Sequence, residues 1–139
     1  MARLMPAEEV LREANARFYE ALSALDLDAM ERLWLHAAHV RCVHPGWELL
    51  IGWAAVRASW EGIFENAERL AVEAGDVQVR VEGSLGWVGC VERISTREGV
   101  SFTAATNLFQ RTDDGWRMVL HHASMIPVPE IAPAVGPVH

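Results

Sequence analysis

Apolar residues recur at three- and four-residue steps through the start of the chain. Val10, Leu11, Ala14, Phe18, Ala21, Leu22 and Leu25 share one stripe, with Glu8, Glu9, Arg12, Glu13 and Arg17 largely opposite. That period predicts a helix over residues 7–25. Pro6 and the paired glutamates suit its N-terminus. Asp26-Leu27-Asp28 interrupts the stripe, and Asp28 with Glu31 resembles a capping pair. A second helix is expected over residues 28–36, presenting Met30, Leu33 and Trp34. Val40 to His44 reads as a short strand stopped by Pro45-Gly46, and Trp47 to Ile51 as a loop or an edge strand. After Gly52, the residues Trp53, Val56, Trp60, Ile63, Phe64 and Ala67 restore the helical period and predict a third helix over residues 53–71.

Beyond Gly75 the period changes to two. Asp76 to Glu82 alternates strictly, with Val77, Val79 and Val81 on one face, as a half-buried strand does. Leu85 to Ser95 is a second strand, apolar on both faces at its start. Ser101 to Arg111 and Trp116 to Met125 form a long hairpin around Thr-Asp-Asp-Gly at 112–115, whose Asp and Gly tolerate turn conformations. A hairpin of this length needs cover on one face. Helices first and a meander afterwards indicate an α+β domain, its three N-terminal helices packed on one face of a curved sheet. The domain is expected to span residues 1–126, with 127–139, rich in Pro and Ala, as an irregular tail.

Composition narrows the function. A chain of 139 residues, 51% hydrophobic and 22% charged, is long enough for a core and matches a globular protein. The net charge of −7, with no basic stripe, argues against nucleic acid. No apolar run reaches the roughly 18 residues of a membrane span, and the N-terminus lacks the apolar centre of a signal peptide. Cys42 and Cys90 have no CxxC spacing and read as reduced, buried thiols in a cytoplasmic protein. His36 and His39 stand three apart and suggest a metal site with His44. The helix is expected to end between them, and no convergent Asp, Glu or Cys accompanies them, so no metal or other cofactor is expected.

The order of elements carries a resemblance, together with Asp26-Leu27-Asp28, His44-Pro45-Gly46-Trp47, Gly52, and the ending Asp114-Gly115-Trp116-Arg117 through His122-Ala123-Ser124. Over residues 8–126 the chain resembles the nuclear transport factor 2-like superfamily, and within it the SnoaL-like branch. The resemblance implies a cone-shaped, strongly curved mixed sheet around the helices (a cystatin-like fold), an internal small-molecule pocket, and a homodimer through the outer sheet face. The superfamily includes ketosteroid isomerases, polyketide cyclases, dehydratases, epoxide hydrolases and kinase association domains, so fold alone does not assign an activity.

Alternation splits each late strand into two sets without saying which is inside. In the last strand Val119, His121 and Ala123 oppose Met118, Leu120, His122 and Ser124; in the second, Val88, Cys90 and Glu92 oppose Trp87, Val91 and Arg93. In the first arm of the hairpin, Ala105, Asn107 and Phe109 oppose Ala104, Thr106 and Leu108. Similarity to the kinase association domains places Glu92, Asn107 and His121 inside, with His44 and Trp60 also inward. Tyr19, Trp34 and Trp47 are further candidates for a ligand site. Glu92 and His121 would serve as acid–base groups and Asn107 as donor to a ligand oxygen. That set suits a cofactor-independent isomerase, cyclase or lyase acting on an apolar, oxygenated small molecule. Each residue also has a plainer reading: Glu92 paired beside Arg93, His121 and Asn107 as hydrogen-bonded core residues, Trp60 as core packing, His44 as a strand end, and Trp47 as a lid or dimer contact. The alternative is a non-catalytic ligand-binding or dimeric assembly domain. Ketosteroid isomerase, cyclase and scytalone dehydratase patterns do not transfer directly. Tyr19 is the one tyrosine, and His121 and Ala123 stand where the cyclases use an Asp.

Overall fold

The computed structural model describes residues 6–128. Helices α1 (Ala7–Ala24), α2 (Leu27–Leu33) and α3 (Trp53–Asn66) pack on a sheet of β1 (Arg41–Val43), β2 (Leu50–Ile51), β3 (Ala71–Glu82), β4 (Leu85–Thr96), β5 (Gly99–Thr112) and β6 (Gly115–Ile126). The strand order is β2-β1-β6-β5-β4-β3. Only β1 and β6 run parallel; the other pairs are antiparallel. From residue 129 on, the expected irregular tail lies outside the described residues. No helix among the described residues is long and apolar enough to cross a membrane.

The stripe on α1 buries Leu11, Ala14, Phe18, Ala21 and Leu22. Leu25 ends the helix in the left-handed region at φ 53°, and its amide reaches back to Ala21 and Leu22. Helix α2 is capped by Asp26, whose side chain accepts from the Ala29 amide at 3.0 Å. The cap therefore falls two residues before the expected Asp28. Gly86 on β4 is where α1 comes closest to the sheet: a Cβ there would lie 2.8 Å from both Leu11 methyl carbons.

Three boundaries differ from the sequence expectation. Helix α2 stops at Leu33 rather than 36, because Trp34 is extended and bridges to Met118, and the Leu35 amide donates to Met118 O at 3.0 Å. Helix α3 stops at Asn66 rather than 71. Ala71–Ala74 instead pair with Glu92–Ser95 as the first half of β3. That half was hidden by an irregularity between Gly75 and Gln78, where Asp76 takes φ 54° and the alternation loses phase. A second irregularity lies opposite Leu108/Phe109, where Leu108 pairs with Leu120 and Phe109 with Met118, leaving Val119 as the extra residue. Strict alternation placed Met118 with Leu120, but the bulge turns Met118 fully inward. Bulges of this kind bend a sheet and increase its twist, in keeping with the strong curvature around the helices.

Candidate functional site

The sheet register assembles the polar centre. Asn107 on β5 lies opposite Val88 on β4 and His121 on β6, and Glu92 lies opposite Thr103. All five side chains face inward and are nearly inaccessible to solvent. Helix α1 adds Asn15 and Tyr19 from above, α3 adds Ser59 and Trp60, and His44 follows β1. A buried polar group must find partners, and here the partners come from elements far apart in sequence.

Tyr19 donates its hydroxyl to Glu92 Oε2 at 2.7 Å, and Thr103 donates to Glu92 Oε1 at 2.5 Å. The Asn107 amide nitrogen donates to Asn15 Oδ1 at 2.9 Å and to the Tyr19 oxygen at 3.1 Å. Asn107 Oδ1 lies 2.6 Å from His121 Nδ1. The remaining imidazole nitrogen, Nε2, stands 4.0 Å from Glu92 Oε2, beyond hydrogen-bond range. The network is thus a ring closed everywhere except between Glu92 and His121. Cys90 Sγ sits 3.2 Å from the Tyr19 oxygen. On the other wall, Ser59 donates to Val56 O at 2.6 Å, which leaves its oxygen to accept from His44 Nε2 at 2.8 Å.

Burial sets the electrostatics. It raises the Glu92 carboxyl above the ordinary 4.5, against the opposing pull of the Thr103 and Tyr19 hydrogen bonds. Burial, and then the adjacent His122, lower His121 to about 3. Burial, and then His121, lower His44 to about 3. Both imidazoles are therefore neutral at pH 7. The Tyr19 hydroxyl is pushed far up by burial, then by Glu92 and Cys90, and stays protonated. Burial raises the Cys42 thiol, and lifts Cys90 to about 11.

A cavity of about 270 Å3 reaches this centre. His44, Glu92 and His121 form its polar patch; Leu22, Trp60, Ile63, Val72 and Ile94 are among its apolar walls; Pro45, Trp47, Ser101 and Met125 also line it. No arginine among its lining residues supplies a cation. Trp47 and Met125, 47% and 58% exposed, mark its rim. Trp60 packs edge-on against His44 at 4.6 Å between ring centres, and its indole N–H is buried without a partner. A larger groove of about 440 Å3 between α1 and β3 is bordered by Asn15 and Tyr19 but does not include Glu92 or His121. The smaller cavity is the candidate site because it touches both groups flanking the open gap.

Of the residues singled out in the sequence, the structure brings Glu92, His121, His44, Trp60 and Trp47 to this cavity. Tyr19 and Asn107 stand behind it, in the hydrogen-bond network. Both amide hydrogens of Asn107 are engaged within the protein, so neither is free for a ligand oxygen. Trp34 lies apart from the cavity, 6.1 Å from Trp53 between ring centres. His36 contacts Glu31 O and His39 contacts Gln110, away from His44. Among the described residues no three His, Cys, Asp or Glu are grouped to hold a metal ion.

Asn15, Ser59 and Thr103 were missed. Each carried a signal. Asn15 interrupts the apolar stripe between Leu11 and Tyr19, Ser59 lies on the Val56 and Trp60 stripe, and Thr103 shares the strand face of Ala105 and Asn107. A polar residue on a core-facing stripe needs a buried partner, and that requirement marks it for attention.

Three helices on a curved six-stranded mixed sheet, with an internal polar pocket, define the nuclear transport factor 2-like class of α+β cone. Comparison with known proteins gives the family: residues 11–129 match the SnoaL-like domain, and the chain belongs to that family. A candidate dehydratase of the NTF2-like family from Streptomyces avermitilis is 37% identical, with a TM-score of 0.82 over 87% of this chain and 96% of that one. A candidate calcium/calmodulin-dependent protein kinase type II association domain from Thiobacillus denitrificans is 36% identical, with a TM-score of 0.74 over 91% of this chain and all (100%) of that one. The F-box protein SKIP8 of Arabidopsis thaliana is 30% identical over 112 residues, 81% of this chain. This chain spans about half the length of that curated relative (48%).

Proposed function

We propose that the chain is a cofactor-independent isomerase, cyclase or lyase acting on an apolar, oxygenated small molecule. One observation carries this reading: Glu92 Oε2 and His121 Nε2 face each other across 4.0 Å at the polar patch of the cavity. Glu92 is the proton-exchanging group, since burial raises its carboxyl toward neutrality. Glu92 takes the proton from the ligand and later returns it, and His121, accepting a hydrogen bond at Nε2, holds the same ligand group in place. Trp60, with its unpartnered indole N–H, supplies the donor for a ligand oxygen in place of Asn107. With both imidazoles neutral and no arginine in the lining, the cavity favours an uncharged ligand. The likeness to a candidate dehydratase supports a lyase.

A thermal-shift screen with cyclic ketones, enones, terpenoid epoxides and small carboxylates tests this. A ligand binding only the folded state stabilises it by RT ln(1 + [L]/Kd), about 2.7 kcal/mol at about a hundredfold excess over Kd. A neutral hit should be turned over by the wild type and bound but not turned over by Glu92→Gln, with a loss of roughly 10²–10⁴-fold. Equal turnover in the two proteins would remove Glu92 from the chemistry.

The second reading is a dimeric assembly domain. It is favoured by Leu85 and Trp87, 45% and 51% exposed on the sheet's outer face, and by the likeness to a candidate kinase association domain. A homodimer through that face is compatible with either reading, as is a cytoplasmic location.

A further inference from the structure

Asn107 occupies the middle of the network, fully buried, and its carboxamide has two ends of nearly equal shape but opposite hydrogen-bonding character. The surroundings fix which end faces which partner. Glu92 accepts the Tyr19 hydroxyl hydrogen, so the Tyr19 oxygen has only lone pairs to offer Asn107. The amide nitrogen must therefore face Tyr19, and its second hydrogen goes to Asn15 Oδ1. Oδ1 is then turned toward His121, and an acceptor at 2.6 Å requires a hydrogen on Nδ1.

We propose that Asn107, held by Asn15 and Tyr19, is a positioning residue that keeps His121 in its Nδ1–H tautomer. The tautomer is chosen by the partner of the opposite ring nitrogen. Without that partner a neutral imidazole carries its hydrogen mainly on Nε2. In this protein the Nε2 lone pair, rather than an N–H, is turned toward Glu92 across the open gap. A ligand group entering the gap thus meets two acceptors when Glu92 is ionised, and an acid facing a base when it is protonated. The tautomer follows from hydrogen-bond geometry. Its use in proton transfer rests on the acid–base reading above.

The test is nitrogen-15 NMR of the imidazole side chains in the ligand-free protein at neutral pH, which reports which ring nitrogen carries the hydrogen. His121 of the wild type should carry it on Nδ1. Asn107→Asp keeps an acceptor opposite Nδ1 and should retain that tautomer. Asn107→Leu removes the acceptor and should move the hydrogen to Nε2. A wild-type His121 protonated on Nε2 overturns the proposal, and that measurement does not depend on any variant folding. So does an Asn107→Leu protein that melts cooperatively and still holds Nδ1–H. Because no ligand is used, this result is separate from the ligand screen: either can fail while the other stands.

Discussion

His44 and His121 are carried into the interior as neutral rings, and that has a consequence for stability. Burial holds both at about 3, whereas in the unfolded chain they return to the ordinary 6.5. Between those values the unfolded chain binds more protons, so stability is full above pH 6.5 and falls as the pH drops toward about 3. Glu92 runs the other way. Raised above 4.5, it is protonated more readily in the folded state, and its cost grows as the pH rises from 4.5 through its folded value. Two imidazoles oppose one carboxyl, so the acid limb should dominate below pH 6.5. Urea unfolding over a pH series should show a shallower acid limb in His121→Leu than in the wild type. Parallel limbs would mean that His121 is not held neutral. At this scale alternation and helical spacing grouped Glu92, His121 and Trp60 with their strand and helix neighbours. Their inward orientation, and that of His44, was an expectation from the resemblance to the kinase association domains rather than from the period. The engagement of Asn107 was not legible, because Asn15 and Tyr19 lie about ninety residues away in sequence and meet it only across the core.

Among the elements, the packing of α1 on β4 has little slack. Gly86 leaves room for the Leu11 methyls and the Trp116 ring and for nothing else. Gly86→Val forces those side chains apart in a close-packed region and should cost about 1–3 kcal/mol. Gly89→Ala, on the same strand with nothing within 4 Å of the added carbon, should change stability much less. Denaturant midpoints for the two variants, taken with unchanged m-values, make the comparison; equal losses would place the closest approach elsewhere. The strands and helices themselves were readable wherever one period held for several residues. The errors cluster where it did not. Ala71–Ala74 continue an apolar helical run in sequence, yet pair with β4 because the bulge at Gly75–Gln78 shifts the phase of β3. Met118 changed face for the same reason at Val119. One extra residue in a strand reverses every later side chain, and nothing in the local composition announces it.

For the whole molecule, the outer face of the sheet carries exposed apolar residues that a partner would cover. Leu120 and Leu108 are half-buried cross-strand partners, and Trp87, opposite Leu108, and Leu85 extend that row on β4 as exposed apolar residues. If the chain pairs through this face, Leu120→Glu places a charge between two apolar surfaces and should weaken the dimer by about tenfold or more, about 1.4 kcal/mol per decade. Sedimentation equilibrium decides it. A wild type that stays monomeric, or a dimer untouched by the charge, would direct attention to another face.

What the sequence determined by itself is the class of architecture, with a partial set of candidate site residues. Helical spacing followed by strict alternation, in that order, leaves helices packed on one face of a meander, and the motif order narrows this to the SnoaL-like cone. The helix and strand assignments are properties of periods within single segments, so they survive without knowledge of the rest of the chain; the narrowing to a cone is what the resemblance implies. The tertiary structure alone decided which face of each strand is inside, where the bulges reset it, and which polar groups are left open. Alternation is symmetric under exchange of faces. Only the register of three strands and the approach of α1 close the hydrogen-bond ring around Asn107, leaving the one gap between Glu92 and His121.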